Sequence, residues 1–417
     1  MNLKNFTKCG LVFMLVVSLI TCQSINSIYA LASDSSINVI NKLEGDGLED
    51  SPYLITSLED YNELADAVIA GDSFAGKTIK LTADIGSQEN PVTKALGTYT
   101  NAFGGNLDGD GHTIYLNLTD DRGLINKLAQ NATIKNVIVD GSVTFSGSDK
   151  YVGGIAGIAN PNCIIENCIN KATINSTGVS GGIVGYIYNS TLTNNVNYGN
   201  VTGVVAYSTV TTAGNGVGGI VGTIDAANPS SIINCSNFGT VTSNNQAGGI
   251  VGKARTNAET TISNCINNGT ITVTDNTSNN GVVGGIVGMA GCYINNCLNK
   301  GNVNGTSQVG GIVGALISGA RVDACRNAGQ VSGSLNYVGG IVGWAYKAVT
   351  ANSITNCIQQ RDGVIKADTI PTTLVGTTSE SLGWITGVNS TASATTVSGD
   401  SACDKVDVLG SGSENEP

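Results

Sequence analysis

The sequence predicts an all-β protein: a parallel β-helix (solenoid) of about 9–10 coils with a capping helix at its N-terminal end. Two repeated patterns and the composition predict it. The pattern G-G-I-[VA]-G occurs seven times, starting at Gly153, Gly181, Gly218, Gly248, Gly284, Gly310 and Gly339, at intervals of 28, 37, 30, 36, 26 and 29 residues. Between its copies runs I-x-N-C-x-N-x-G-x-[VI], of which Ile262 to Ile271 is a clean instance. The 417 residues include 56 glycines, nearly double the usual ~7%, while charged residues at 12% are about half the ordinary ~25%. Hydrophobic content of 41% argues against wholesale disorder, and the glycines lack the three-residue period of collagen.

In chain order, Lys4 and Lys8 precede an uncharged apolar run from Gly10 to Ile20, and Ala30-Leu31-Ala32 offers a small-x-small cleavage site. Residues 1–32 therefore read as a secretory signal peptide, which predicts a secreted or cell-surface protein. The rival reading takes Leu19-Ile20-Thr21-Cys22 as a lipoprotein site with Cys22 as a lipid anchor, although Thr21 is bulky for that role. No apolar run of about 20 residues predicts a transmembrane span in the mature chain. Residues 33–70 form an N-terminal lead-in and capping helix: Leu58, Tyr61, Leu64, Ala65 and Val68 recur at helical spacing, behind a capping box from Ser57 and Asp60. Such a helix would cover the open strand edge of the first coil. Gly71 to Thr78 satisfies G-x-x-x-x-G-K-[ST], but here a helix precedes and a strand follows, the reverse of a phosphate-binding loop.

Residues 71–390 hold the β-helix. Each repeat offers three short β-type runs separated by turn residues, none long enough for a helix. Ile262 and Cys265 are three apart, so the chain must bend at Asn264 if both point inward, and Asn tolerates the left-handed conformation required. Stacked coils would then align Asn264 with Asn136, Asn167, Asn194, Asn234, Asn296 and Asn356, and Asn267 with Asn170, Asn197, Asn237, Asn299 and Asn327. Buried amides in such columns can hydrogen-bond from coil to coil. Residues 391–417 read as a Ser/Gly-rich C-terminal tail.

Gly45-Asp46-Gly47 followed by Ser51 to Ile55, the strand Ile79 to Ile85, and Phe103 to Ile114 with its Leu107-Asp108-Gly109-x-Gly111-His112 core resemble the first coils of bacterial surface β-helix proteins. The GGIVG runs are similar to the GLUG motif of such proteins. The resemblance covers residues 45–390 and implies a right-handed parallel β-helix of pectin-lyase-like fold on an exported bacterial protein, often one taking part in adhesion.

Chemistry is sparser. Six cysteines share one repeat position: Cys168, Cys235, Cys265, Cys297, Cys325 and Cys357. Val137 and Asn195 fill the same slot, so sulfur is not demanded, and inward core packing is the favoured reading. Parallel Cα–Cβ bonds in a stack suit a disulfide torsion badly, though Cys163 and Cys292, five residues before ladder cysteines, hint at local bridges. A single His leaves little room for His-based metal sites, and neither a metal nor a cofactor is expected. Formal charge of −11 argues against a nucleic-acid partner. Asp108, Asp110 and His112 are the place to look for glycan cleavage, which needs paired carboxylates, but no acidic column follows. Tyr186, Tyr188, Tyr207, Trp344 and Tyr346 are the candidate ligand-binding residues, with Tyr186 and Trp344 at one repeat position directly after a GGIVG. The longer intervals insert residues around Tyr207 to Asn215 and Thr274 to Val283, where a protruding site would fall. The expected function is an adhesin-like binding scaffold for glycans or another surface macromolecule. The alternatives are a structural spacer without a ligand, or a polysaccharide lyase or hydrolase.

Overall fold

The computed structural model describes residues 43–359 apart from 148–150, 206–215, 275–280, 318, 335–336 and 346–351, together with the strands Ile365–Ala367, Thr386–Asn389, Thr395–Ser398 and Val408–Gly410. Residues 1–44 and 45–417 form two units, and the fold is that of the second. Residues 1–32, with Cys22, lie outside the described residues. Among those described, no helix is long and apolar enough to cross a membrane.

The chain is an all-β parallel solenoid of about nine turns, matching the expected right-handed β-helix. A 12-stranded sheet runs from Tyr53–Ile55 to Thr395–Ser398, a nine-stranded sheet from Ile125–Leu128 to Thr386–Asn389, and a seven-stranded sheet from Tyr151–Gly153 to Val338–Gly339. The remaining face begins as the long strands Thr113–Thr119 and Ile138–Phe145, then divides in later coils into pairs such as Ile169–Asn170 and Thr173–Ser176. Like side chains stack on like. Ile165, Leu192, Ile232, Ile262, Ile294 and Val322 pair in register on the 12-stranded sheet, all buried. Each such side chain contributes roughly 1.5–3 kcal/mol on leaving water.

The bend between Ile262 and Cys265 forms as their spacing requires. Asn136, Asn167, Asn194, Asn234, Asn264, Asn296 and Asn356 all take left-handed backbone conformations, with φ between 50 and 57°. Ala324 occupies the same slot at φ 50°. Within this column Asn167 Nδ2 donates to Asn136 Oδ1 at 3.3 Å, and Asn296 Nδ2 donates to Asn264 Oδ1 at 2.8 Å. These amides lie at the surface, which corrects the expectation that both columns are buried. The bend turns their side chains outward.

The second column is buried. Asn170, Asn197, Asn237, Asn267, Asn299 and Asn327 each donate through Nδ2 to the next coil's side-chain oxygen at 2.7–2.8 Å, ending on Gln359. The second Nδ2 proton of each goes to the carbonyl two residues on, as from Asn267 to Gly269 at 2.9 Å. Val139 faces Asn170 in register, and there the strand runs on undivided. This ladder also explains the paired glycines. A Cβ on Gly249 would lie 2.4 Å from Asn267 Cγ and 2.0 Å from the Gly285 carbonyl, and Gly182, Gly219, Gly285 and Gly311 are placed alike. The GGIVG and N-x-G motifs are two halves of one contact.

The helix α1 spans Leu58–Ala70. Ser57 Oγ accepts the Asp60 N–H at 3.2 Å, but the Asp60 carboxylate takes the N–H and hydroxyl of Thr56, at 2.9 and 2.6 Å, so the expected capping box closes one residue upstream. Its buried face, including Tyr61, Leu64 and Val68, lies on the first coil: Tyr61 donates its hydroxyl to the Lys94 carbonyl at 3.0 Å, and Asn101 Nδ2 donates to the Ile69 carbonyl at 2.7 Å. Gly71 ends α1 at φ 115°, and the next strand is Thr78–Leu81, so the P-loop-like segment is a helix-to-strand turn.

Candidate functional site

The residue after each GGIVG-type run forms one column on the nine-stranded sheet: Lys127, Ile158, Tyr186, Thr223, Lys253, Met289, Ala315 and Trp344, paired in register. Tyr186 and Trp344 share it as their motifs imply, but four strands' worth of smaller or aliphatic and polar residues separate them. Tyr186 is only 2% exposed. Its ring packs against Tyr151 at 4.4 Å and Tyr188 at 4.7 Å between centroids. Its hydroxyl donates to Asp225 Oδ2 at 2.5 Å, and Arg255 lies 3.6 Å from the same carboxylate and 5.8 Å from the Tyr186 ring centroid. Burial, and then donation to Asp225, push the Tyr186 phenol well above its ordinary pKa, so it remains a donor.

A second group adjoins this one. Arg122 and Lys127 sit over the ring of Tyr99 at 4.5 and 4.7 Å, and Tyr99 is 53% exposed. Tyr99 and Tyr151 both act on the Arg122 guanidinium, whose pKa burial lowers, and both act on the Tyr188 phenol, which burial raises. Four tyrosines and three cations therefore gather across several coils. The Asp225 carboxylate is taken up by Tyr186 and Arg255, while neighbouring Asp121 accepts from Asn126 and the Ala95 N–H. The patch leans positive in a chain of net −11. Rings offer flat apolar faces and the Arg and Lys groups offer charged donors, so the arrangement can hold a ligand with both kinds of surface.

Of the residues expected to bind, Tyr186 and Tyr188 come together here, with Tyr186 as the buried floor rather than an open platform. Trp344 stands apart, stacked on Tyr337 at 5.9 Å and packed against Val282, Met289 and Ala315. Tyr207 and Tyr346 lie outside the described residues. Sequence reasoning missed Tyr99, Arg122, Lys127, Asp225 and Arg255 as partners. It picked out Tyr198 as an aromatic that could stack on a sugar but missed Phe238, which stacks with it at 5.0 Å to make an exposed pair. That pair was findable, since each directly follows a ladder asparagine.

The catalytic alternative gathers less. Asp108 ends the strand Asn106–Asp108, while Asp110 sits in the turn at φ 48°, so the two do not share a strand face. Each carboxylate has a lysine: Lys135 for Asp108 at 3.4 Å and Lys80 for Asp110 at 3.0 Å, while His112 lies 3.4 Å from Asp84. Burial would raise the Asp108 pKa, but hydrogen bonds from Asn136 and the Asp110 N–H, with the Lys135 charge, outweigh it and hold it below the ordinary value. That is unfavourable for a proton donor to a glycosidic oxygen.

Cys168, Cys235, Cys265, Cys297, Cys325 and Cys357 are buried free thiols, as are Cys163 and Cys292, so neither of the latter bridges its neighbour. Cys297 Sγ donates to the Ile262 carbonyl at 3.5 Å, and Asn195 fills the slot by accepting the Cys168 N–H at 2.9 Å. Burial pushes the Cys168 and Cys292 thiols up to about 12.

The fold and this patch define a parallel β-solenoid with an aromatic, cationic surface. Over 155 residues, 34% of this chain, the sequence is 32% identical to halomucin of Haloquadratum walsbyi, and the match spans 2% of that protein. A Bacteroides ovatus structure described as a candidate immunoglobulin A1 protease is similar with a TM-score of 0.51 at 22% identity, covering 63% of this chain and 79% of that one. An IgA1 protease structure is similar at 0.50 and 22%, covering 66% of this chain and 21% of its own. These structural likenesses show the fold. No family model matches the chain.

Proposed function

We propose that the protein is an exported bacterial surface or secreted scaffold that binds glycans, and that the Tyr99–Tyr151–Tyr186–Tyr188 cluster with Arg122, Lys127 and Arg255 is its binding patch. The gathering of four rings and three cations from separate coils carries this reading. Its positive balance favours acidic glycans. Export rests on the signal-like residues 1–32, with Cys22 acylation as the anchored variant, and the GLUG-like repeats and the match to a stretch of halomucin agree with a surface role. The stacked amide ladders favour a second reading, a spacer with no ligand. The test incubates the purified chain with polyuronans, mucins and bacterial wall glycans, reads retention by calorimetry, and searches the soluble fraction for new oligosaccharides by mass spectrometry. Retention of acidic glycans, weakened tenfold or more by Tyr188→Ala or Lys127→Ala, is expected. Released products would point to an enzyme, and no retention at all would leave the spacer.

A further inference from the structure

The outer row of the 12-stranded sheet is mostly small and hydroxylated, with Thr191, Ser231 and Thr261 in register, and then changes character to Tyr293 and Arg321 before returning to Ser353. In the companion row, two residues on, Asp323 follows Thr193, Ile233, Ser263 and Asn295, bringing back the acid that Asp108 and Glu166 place there in the first coils. One residue further, Ala324 interrupts the surface asparagine column. Tyr293 and Arg321 in the outer row and Ala324 in the asparagine column depart from the repeat at adjoining positions, and such departures are where a site is expected, because the repeat itself already satisfies the fold.

The geometry is consistent with one. Arg321 lies 4.7 Å from the Tyr293 ring centroid, held there further by donation from Nη2 to the Ala258 carbonyl at 3.5 Å. Because Ala324 offers no amide, Asn356 Nδ2 turns to Asp323 Oδ1 at 2.9 Å, and Thr355 Oγ1 donates to the same oxygen at 2.5 Å. Both internal donors thus fall on one carboxylate oxygen. Together with Ser353 these groups line an open depression of about 290 Å³.

We propose that this depression is a separate binding site for a neutral saccharide, gripped through adjacent hydroxyls. Arg321 and Asp323 are two apart on one strand and so face the same side, presenting a planar donor fork beside an acceptor. The Ser353 and Thr355 hydroxyls add groups that serve as either. The single positive and single negative charge offset one another, which favours an uncharged polyol over a carboxylated one. The site lies on a different sheet from the tyrosine cluster and does not depend on it.

The test measures binding of neutral tetrasaccharides (gluco-, manno-, galacto- and xylo-linked) and of uronate tetrasaccharides to the full chain by calorimetry and saturation-transfer NMR. At least one neutral tetrasaccharide is expected to bind, with affinity falling tenfold or more in Arg321→Met and Ala324→Asn and unchanged in Tyr188→Ala. Ala324→Asn is the decisive variant: it suits the left-handed backbone, restores the surface ladder, and should draw Asn356 away from Asp323 without unfolding the coil. Failure of every neutral tetrasaccharide to bind, preference for the uronates in the Tyr188→Ala protein, or full binding of the neutral ligand by Ala324→Asn would each overturn the assignment. Loss of acidic-glycan retention in Tyr188→Ala is a separate readout, so either site can fail alone.

Discussion

Lys253 shows how much a single repeat position can tolerate. It sits in the strand Val251–Ala254 at 2% exposure, in a column that elsewhere holds Thr223 and Met289. Desolvation, with the Arg255 guanidinium adding to it, lowers its pKa from 10.5 to about 8. The folded protein therefore holds this proton less tightly than the unfolded chain. Below about pH 8 the buried charge opposes folding in full; the penalty shrinks as pH rises towards 10.5, where the unfolded lysine also loses its proton. Lys253→Met should raise stability at pH 7 by about 3 kcal/mol, with the advantage fading by pH 10. Denaturant titrations of both proteins at the two pH values test this, and a gap that ignores pH would refute it. At this scale the sequence was readable where a residue answers to its neighbours along the chain, as Asn264 does at its bend. It was not readable where partners come from other coils: Tyr186 meets Asp225 and Arg255 at 39 and 69 residues' remove, and Tyr99 belongs to no repeat at all.

At the scale of the element, the coil is closed by a contact between two motifs that look independent in the sequence. The ladder asparagine needs a bare backbone opposite it, and the second glycine of GGIVG supplies one. Asn267→Ala would strand the Asn237 donor and the Asn299 acceptor in a buried site, at a cost of about 3 kcal/mol. Asn264→Ala, on the surface column, should cost only about 1–2 kcal/mol for the left-handed backbone. Urea midpoints of the two variants should fall in that order, with Gly249→Ala lower than both; equal midpoints would deny the buried ladder its role. The existence of α1 and of the bends was legible, since both depend on local spacing. The early segment was less so. Its coil is held by single bridging residues, Ile85, Val92, Leu96 and Phe103, whose partners no periodicity reveals.

For the molecule as a whole, low charge and high glycine are consequences of stacking: every coil interior is covered by the next, and repeat-to-repeat interfaces carry the stability. The eight buried thiols among the described residues make this measurable. Iodoacetamide at pH 8 should leave them unmodified in the native protein, and peptide mapping across a urea series should show neighbouring ladder cysteines becoming labelled together. Rapid native labelling of Cys168 or Cys292 would contradict their burial. The buried amides also have a polarity. Each donates a hydrogen bond forward to the following coil, while the surface column donates backward. Every inner rung, from Asn197 to Asn327, is thus both giver and receiver, and any two consecutive ones present the same pair of mating ends. A coil duplicated or deleted within the run leaves no unmatched group at the seam and changes the length of the stack by one strand spacing, ~4.8 Å. Reach is then a heritable quantity that unequal recombination can adjust in steps, without the fold having to be solved again.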